Sequence, residues 1–176
     1  MMSSSTTDPQ DADLQDSDRL TAAVITVSDS CSRGERKDLS GPAVAQLLQK
    51  LDFSVVQREI VADDSTKIKN LLIRLAREVR LIVTTGGTGV APRDVTPEAT
   101  AAVCDKLLDG VAERMRSAGA KKTPLAALSR GVCGVRGHAL ILNLPGNPAG
   151  AVESLEAVVE LIPHALDLLS GKTAHE

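Results

Sequence analysis

The segment Gly86-Gly87-Thr88-Gly89, called the glycine loop below, has the composition of a loop that binds an anion. Two adjacent glycines, with a third after Thr88, allow backbone N–H groups to approach a phosphate without interference from Cβ atoms. The segment matches neither the Walker pattern nor the GxGxxG dinucleotide pattern. It is therefore predicted to bind phosphate in some other way, and a plain tight turn is the alternative.

Two aspartates, Asp63 and Asp94, are candidates for catalysis and for binding Mg²⁺. Carboxylate oxygens are the hard ligands that Mg²⁺ takes when it also contacts the phosphates of a nucleotide. Simpler roles compete with this prediction. Asp63 or its neighbour Asp64 can cap the helix that follows, and Asp94 can form a turn before Thr96.

Two arginines and three histidines complete the set of candidate side chains. Arg93 and Arg130 can pair with phosphate charge, or they can be ordinary solvated surface residues. The histidines do not occur at the spacing of zinc ligands, so a zinc site is not expected.

The first half of the chain has the pattern of a parallel sheet. Apolar, β-branched runs at 22–27, 53–61 and 81–85 predict strands. Amphipathic helices are predicted between them, one beginning at Ser40-Gly41-Pro42 and one capped by Asp64 or Ser65. Strands that alternate with helices at this spacing indicate βαβ units.

The second half predicts helices and a hairpin edge. A helix should begin at Thr96-Pro97 and carry both Val103 and Leu107, and shorter helical pieces are expected at 111–117 and 124–128. Two short strands, 131–135 and 138–142, should be joined by Arg136-Gly137. A long closing helix follows, and Pro163 should kink or split it.

The polar loops should meet at one edge of this sheet, because loops that leave the carboxyl ends of parallel strands share one rim. The segments that leave these ends are Ser28-Asp29-Ser30, Asp63-Asp64, the glycine loop with Arg93-Asp94 close behind, and Leu144-Pro145-Gly146-Asn147-Pro148 after a late strand ending at Asn143. The residues alone thus predict a site for a phosphorylated ligand and Mg²⁺ at this rim.

Composition argues against a nucleic-acid or membrane partner. The chain has one Phe and no Trp or Tyr, so it lacks stacking platforms for bases, and 20 Lys+Arg against 23 Asp+Glu leave no basic excess. No apolar run is long enough to span a bilayer and no secretory signal is visible, which predicts a cytoplasmic protein. The three cysteines, Cys31, Cys104 and Cys133, are expected to be free thiols.

Length predicts one folded domain with short tails. The polar segment 1–19 has almost nothing to bury and is expected to be disordered, the domain should occupy 20–172, and 173–176 should form a tail.

Four segments carry a family resemblance: SDSCSRGERKDLSG, TTGGTGVAPRDVTPEAT, LSRGV and LILNLPGNPAGA. Together they resemble the MoaB/Mog family, the molybdopterin adenylyltransferases of molybdenum-cofactor synthesis, and the related amino-terminal domain of gephyrin. The resemblance covers residues 20 to 170, approximately, and the combination of TTGGTGxxxRDVTP with the late LPGNP is highly specific. Val90-Ala91-Pro92 varies the loop, and we expect this variation to be harmless.

The resemblance implies a three-layer α/β/α fold, a homotrimer and a reaction that depends on Mg²⁺ and ATP. In that reaction the terminal phosphate of molybdopterin attacks the α-phosphorus of ATP, pyrophosphate leaves, and the adenylylated product is handed to a molybdate-inserting enzyme. The implied catalytic and Mg²⁺-binding residues are Asp63 and Asp94, although the adjacent Asp64 leaves the first assignment ambiguous. The implied substrate-binding residues are Ser28, Asp29, Thr85, Gly86, Gly87, Thr88, Gly89, Ser129, Arg130, Asn143, Pro145, Gly146 and Asn147.

Other functions are also compatible with the fold that the resemblance implies. A non-catalytic molybdopterin-binding or scaffold protein is the main alternative, and the presence of both aspartates argues against it. A molybdate-inserting enzyme would carry a GGVSVG-type loop within a much longer chain. A nucleotide pyrophosphatase has no positive sign in the sequence.

Overall fold

A single six-stranded sheet forms the centre of the molecule in the computed structural model, which describes residues 20–171. The strands are β1 (Thr21–Val27), β2 (Ser54–Val61), β3 (Leu81–Thr85), β4 (Lys106–Leu107), β5 (Cys133–Arg136) and β6 (Ala139–Leu144). Their order is β2-β1-β3-β6-β5-β4. The predicted tails 1–19 and 173–176 lie outside the described residues, and their prediction stays open.

Seven α-helices and two 3₁₀-helices connect the strands within the described residues. The α-helices are α1 (Asp29–Ser32), α2 (Ser40–Lys50), α3 (Ser65–Leu75), α4 (Thr96–Val103), α5 (Asp109–Ala120), α6 (Pro148–Glu156) and α7 (Ile162–Leu169). The 3₁₀-helices are Pro124–Leu128 and Val159–Leu161. None of the helices from residue 20 to residue 171 is long and apolar enough to span a membrane.

The sheet separates two layers of helices because successive strand residues face opposite sides. Val24 pairs with Val83, which pairs with Leu142, and all three belong to the core cluster under α2, α5, α6 and α7. Their neighbours Ala23, Ile82 and Ile141 belong to the second cluster, under α3 and α4. The predicted three-layer α/β/α fold is therefore confirmed.

The sheet is mostly parallel and has an antiparallel edge. Strands β2, β1, β3 and β6 pair in parallel, whereas β5 pairs antiparallel with both β6 and β4. The predicted hairpin is confirmed, but its turn is Gly137-His138, because Arg136 pairs directly with Ala139. Gly137 has a φ of 57°, the left-handed conformation that glycine adopts at no steric cost.

The predicted extension of α4 to Leu107 is wrong. The helix ends at Val103, and Leu107 lies in β4, a strand that the sequence analysis did not predict. Asp105 N–H donates to Val135 O at 2.7 Å, and Leu108 N–H donates to Cys133 O at 2.8 Å. The chain after Val103 thus exchanges helical hydrogen bonds for pairing with β5, which a helical spacing of apolar residues does not reveal.

The closing helix is split, as predicted from Pro163. Helix α6 ends at Glu156, the 3₁₀-helix Val159–Leu161 follows, and α7 begins at Ile162. Pro163 lies in the first turn of α7, where a helix leaves its N–H groups without partners and proline costs no hydrogen bond.

Candidate active site

The carboxyl ends of β1, β2, β3 and β6 lie at the same level of the sheet. Thr26 pairs with Thr85, Thr85 pairs with Leu144, and Val27 pairs with Val61. The next residues along the chain are therefore brought together at one rim, as the sequence predicted.

The glycine loop begins with two residues in a left-handed conformation. The φ angles are 93° at Gly86 and 65° at Gly87. A Cβ atom at Gly86 would overlap Val27 O, and one at Gly87 would overlap Thr96 Oγ1 and lie 3.2 Å from Asp63 Oδ1. Only glycine satisfies both the backbone angles and the space at these two positions.

The carbonyl groups of the glycine loop are all engaged by the protein. Thr96 donates its hydroxyl to Gly86 O at 3.0 Å and its N–H to Gly87 O at 3.1 Å. Arg130 donates its N–H to Thr88 O at 2.8 Å and its Nε to Gly89 O at 2.7 Å. By contrast, the N–H groups of residues 87–90 have no acceptor among residues 20–171. The loop thus combines fixed carbonyls with N–H groups available to an anion.

Asp63 is held beside this loop by Asp29. Asp29 N–H donates to Asp63 Oδ2 at 2.9 Å, and Asp63 N–H donates to Asp29 Oδ1 at 3.0 Å. Arg93 Nε lies 2.5 Å from Asp29 Oδ2 and connects this pair to the loop that carries Asp94.

The two carboxyls of this pair have opposite pKa shifts. Burial, with repulsion from Asp29 and Asp94, raises the pKa of Asp63 above its ordinary value, although the N–H of Asp29 opposes this shift. The hydrogen bond from Arg93 lowers the pKa of Asp29. Of this pair, Asp63 is the carboxylate whose charge the fold compensates less.

Asp94 lies at the other end of the glycine loop. Its Oδ2 accepts the Ala91 N–H at 2.9 Å and would lie 2.8 Å from a Cβ atom built on Gly89. The remaining oxygens, Asp63 Oδ1 and Asp94 Oδ1, have no hydrogen-bond donor in the described part of the chain. Two carboxylate oxygens beside a phosphate loop fit Mg²⁺, which keeps waters and phosphate oxygens as its other ligands.

Two cavities open at the rim and share part of their floor. The large cavity has a volume of about 620 Å³, and a smaller cleft has a volume of about 430 Å³. Gly86, Gly146 and Asn147 line both of them. A ligand group at this shared floor would therefore be within reach of molecules bound on either side.

The walls of the two cavities differ in charge. Met115, Leu125 and Leu128 give the large cavity an apolar side, and its charged residues are Asp94, Glu153 and Arg116, whose Nη1 donates to Gly131 O at 3.1 Å. The smaller cleft is lined by Arg36 and Lys37, which form no ion pair among the described residues.

The carboxylate of Asp38, which also lines the cleft, accepts hydrogen bonds from Thr26 Oγ1 at 2.7 Å and from Gly41 N–H at 3.0 Å. This carboxylate is thus hydrogen-bonded within the fold. The cleft is the more favourable of the two cavities for a polyanion.

The chain matches the family of probable molybdopterin binding domains over residues 23–164. It is 45% identical to the molybdopterin adenylyltransferase of Helicobacter pylori J99 over 152 residues, which cover 84% of this chain and 86% of that protein. The Escherichia coli K12 molybdopterin adenylyltransferase is 36% identical over 168 residues, with 86% of both chains covered.

A comparison with solved structures supports the same family. The molybdopterin biosynthesis enzyme MoaB of Thermus thermophilus superposes with a TM-score of 0.82 at 51% identity, covering 89% of this chain and 99% of the other. The chain belongs to the MoaB/Mog family of molybdopterin-binding domains.

Several residues that the MoaB/Mog resemblance assigns to substrate have structural partners of their own. Ser28 Oγ caps α1 by accepting the Cys31 N–H at 3.2 Å, and Asn147 Oδ1 caps α6 by accepting the Gly150 N–H at 3.0 Å. Thr85 Oγ1 lies 2.8 Å from Ser40 Oγ. All three residues still line a cavity, so a contact with ligand stays a prediction for each of them.

Asn143 is 1% exposed and its amide is fully engaged as a donor. Its Nδ2 donates to Thr84 Oγ1 and Thr100 Oγ1, both at 3.0 Å, and its Oδ1 accepts the Val132 N–H at 3.2 Å. The residue lines the large cavity, but these bonds connect three segments of the MoaB/Mog domain below the site.

The remaining predicted residues divide between cavity wall and support. Ser129, Pro145, Gly146 and the glycine loop line the large cavity with Asp94, whereas Asp29, Asp63 and Arg130 line neither cavity. Asp64 caps α3 by accepting the Lys67 N–H at 2.9 Å. This leaves Asp63 as the aspartate beside the glycine loop.

Some cavity residues were not predicted. These residues are Arg36, Lys37 and Asp38 in the cleft, and Arg116 and Glu153 in the large cavity. The first three fall within the quoted segment SDSCSRGERKDLSG, so their place after β1 was an available signal. Cys31, one of the three expected free thiols, is buried on α1 and lines the cleft.

Proposed function

We propose that the protein is a molybdopterin adenylyltransferase. The terminal phosphate oxygen of molybdopterin forms a bond to the α-phosphorus of ATP, the bond from that phosphorus to the bridging oxygen breaks, and pyrophosphate leaves. The observation that carries the proposal is the glycine loop between Asp63 and Asp94, with its carbonyls engaged and its N–H groups available. Such a reaction requires mainly positioning and charge stabilisation, so no protein nucleophile is needed.

We assign Mg²⁺ to the free oxygens of Asp63 and Asp94. The raised pKa of Asp63, caused mainly by burial and partly by two neighbouring carboxylates, supports a cation here, because a cation would offset that repulsion. When bound, Mg²⁺ would neutralise phosphate charge during transfer. The N–H groups of the glycine loop hold the phosphate, and Asp29 keeps Asp63 oriented.

We place the ATP phosphates at the cleft and the pterin in the large cavity. The cleft offers Arg36 and Lys37, which favour the triphosphate, whereas the apolar side of the large cavity suits a flat ring. The floor shared at Gly86 and Gly146 then brings the α-phosphorus and the attacking phosphate together. This arrangement makes adenylyl transfer a reaction between neighbours on one rim.

We further propose a cytoplasmic homotrimer that hands its product to a molybdate-inserting enzyme. The trimer and the hand-over follow from the resemblance to the MoaB/Mog family. The hand-over agrees with the chemistry of the product, since an adenylylated pterin still lacks its metal.

The decisive experiment is incubation of the protein with molybdopterin, ATP and Mg²⁺, followed by chromatography for adenylylated pterin and by a pyrophosphate assay. Both products should form in equal amounts and only when all components are present. Binding of molybdopterin without either product would support the non-catalytic alternative. Pyrophosphate release without pterin would indicate a nucleotide pyrophosphatase.

A further inference from the structure

Arg130 connects the glycine loop to the loop that carries Asp94. Its Nε donates to Gly89 O at 2.7 Å and its Nη2 donates to Asp94 O at 2.8 Å. Its Nη1 pairs with Glu98 at the start of α4. Each guanidinium nitrogen therefore already has an acceptor within the protein.

The position of Arg130 relative to the cavities differs from that of its neighbours. Ser129 and Gly131 line the large cavity, whereas Arg130, like Asp29 and Asp63, lines neither cavity, and its role is therefore inferred from its hydrogen bonds. Three of the five guanidinium N–H groups are held by two carbonyls and one carboxylate, so the protein itself fixes the plane of this side chain. We propose that Arg130 is a positioning residue that fixes Asp94 relative to the glycine loop, rather than a phosphate ligand.

The shape of the guanidinium explains why an arginine occupies this position. The residues before Asp94 close a turn on themselves, because Asp94 N–H donates to Ala91 O and Ala91 N–H donates to Asp94 Oδ2, both at 2.9 Å. A planar fork that contacts Gly89 O and Asp94 O together fixes the distance between this turn and the phosphate loop. A lysine ammonium is a single point charge and cannot hold both carbonyls in one plane.

The kinetic consequences rest on the proposed adenylyl transfer, and Arg130→Gln and Arg130→Lys test them. Misplacement of Asp94 should lower kcat by about 10²-fold in both variants and leave the KM of each substrate within about twofold of wild type. A phosphate ligand would behave differently. Its loss would raise KM, and lysine would restore most of the binding, which would overturn the proposal.

Glu98→Gln distinguishes the two roles of Arg130 because each role predicts a change in a different kinetic constant. If Arg130 positions Asp94, removing this carboxylate loosens the guanidinium and lowers kcat by several-fold, about 3 to 10, with KM unchanged. If Arg130 were a phosphate ligand, the same change would release its charge toward substrate. KM would then fall with kcat unchanged, and the proposal would fail.

The contacts of Arg130 with Gly89 O and Asp94 O are called the clamp. Hydrogen exchange measured by mass spectrometry tests the clamp without any assay of activity. Arg130→Gln should accelerate exchange in residues 88–95, where the hydrogen-bonded N–H groups of Ala91 and Asp94 are protected, and leave β1 and β3 unchanged. Arg114→Gln is the matched control, because Arg114 Nε donates to Ala157 O at 2.7 Å and its guanidinium pairs with Glu160, away from this loop.

The outcomes separate this inference from the proposed function. Unaltered exchange in residues 88–95 of Arg130→Gln would overturn the clamp, whatever the kinetics. Faster exchange, together with a wild-type protein that forms no adenylylated pterin, would overturn the proposed reaction and retain the clamp.

Discussion

Asp29 and Asp63 hold each other through their backbones, since the N–H of each residue donates to the carboxylate of the other, at 2.9 and 3.0 Å. This reciprocal pair places two negative groups side by side at the ends of β1 and β2. Arg93 balances the charge of Asp29, and Asp63 has no cation of this kind among residues 20–171. The site therefore contains a charge that the folded protein alone does not neutralise.

Asp63→Asn should raise the melting temperature at neutral pH. The pKa of Asp63 is higher in the folded state than in the unfolded chain, so this group favours folding most below its unfolded pKa and loses that contribution as pH rises through the folded pKa. The asparagine resembles the protonated form. Its gain in melting temperature should thus be largest at pH 7 and should vanish at about pH 3.

Asp29→Asn is the matched comparison and should have the opposite sign. Arg93 lowers the pKa of Asp29, so this carboxylate favours folding above its unfolded pKa and loses that contribution as pH falls through its folded pKa. Thermal denaturation of both variants from neutral to acidic pH measures the two trends. A lower melting temperature for Asp63→Asn at neutral pH would contradict the assignment of an uncompensated charge.

Asp94→Asn should reduce turnover while sparing folding and pterin binding. Loss of a main electrostatic group at the reacting phosphate costs about 3 to 4 kcal/mol, which makes turnover slower by roughly 10²- to 10³-fold. Molybdopterin should still bind, because we assign its phosphate to the neutral glycine loop. Single-turnover kinetics and calorimetric titration separate the two effects.

Asp64→Asn is the control for Asp63→Asn and Asp94→Asn. An asparagine can still cap α3, so turnover should not change. If Asp94→Asn abolished pterin binding and left the rate at saturation intact, Asp94 would be a substrate anchor.

Gly87→Ala should lose activity and stability together. The φ of 65° costs an alanine about 1 to 2 kcal/mol, and its methyl group would overlap Thr96 Oγ1 and press on Asp63. Gly110→Ala in α5 is a matched control, since nothing lies within 4 Å of a Cβ atom at that position. Urea unfolding should show a loss for the first variant and no loss for the second. Full activity in Gly87→Ala would show that the conformation of the loop is dispensable.

The double variant Arg36→Gln, Lys37→Gln should weaken ATP binding selectively. Exposed basic side chains contribute modestly to phosphate binding, so KM for ATP should rise by about 3- to 10-fold, with KM for molybdopterin unchanged. Raising the ionic strength should reduce the difference between wild type and variant. The double variant Lys50→Gln, Arg77→Gln removes equal charge outside both cavities. An increase confined to the KM of molybdopterin would reverse our placement of the two substrates.

The homotrimer should appear in multi-angle light scattering as a mass near three times 18.4 kDa at micromolar concentration. Sedimentation velocity across a dilution series is an independent measurement. A mass that stays near that of one chain would refute the trimer and leave the cavities of the single chain as the complete site.

The sequence was sufficient to predict the parallel strands and the loops at their carboxyl ends, because a continuous apolar run such as LIVTT has few alternatives to a buried strand. The sequence was not sufficient to predict the edge strand β4. Leu107 falls at a helical spacing from Val103, and only pairing with distant residues Gly134 and Val135 decides its conformation.

Some residue roles in the site could be predicted from the sequence, and others could not. The glycine loop could be predicted because its adjacent glycines permit backbone conformations that other residues rarely adopt. The roles of Asn143 and Arg130 could not be predicted in this way, because a buried amide bridge and the proposed loop clamp depend on partners far along the chain. Their sequence context resembles that of ordinary polar residues.

The two ends of the described chain are hydrogen-bonded to the sheet at the rim opposite the cavities. Leu20 O accepts the Ser54 N–H at 2.8 Å, His138 Nδ1 lies 2.7 Å from Leu169 O, and the Arg80 guanidinium reaches Leu166 O. All three contacts lie at the amino ends of strands. Attachment at Leu20 or Gly171, the two ends of the described chain, would therefore start at the rim opposite the proposed phosphate site.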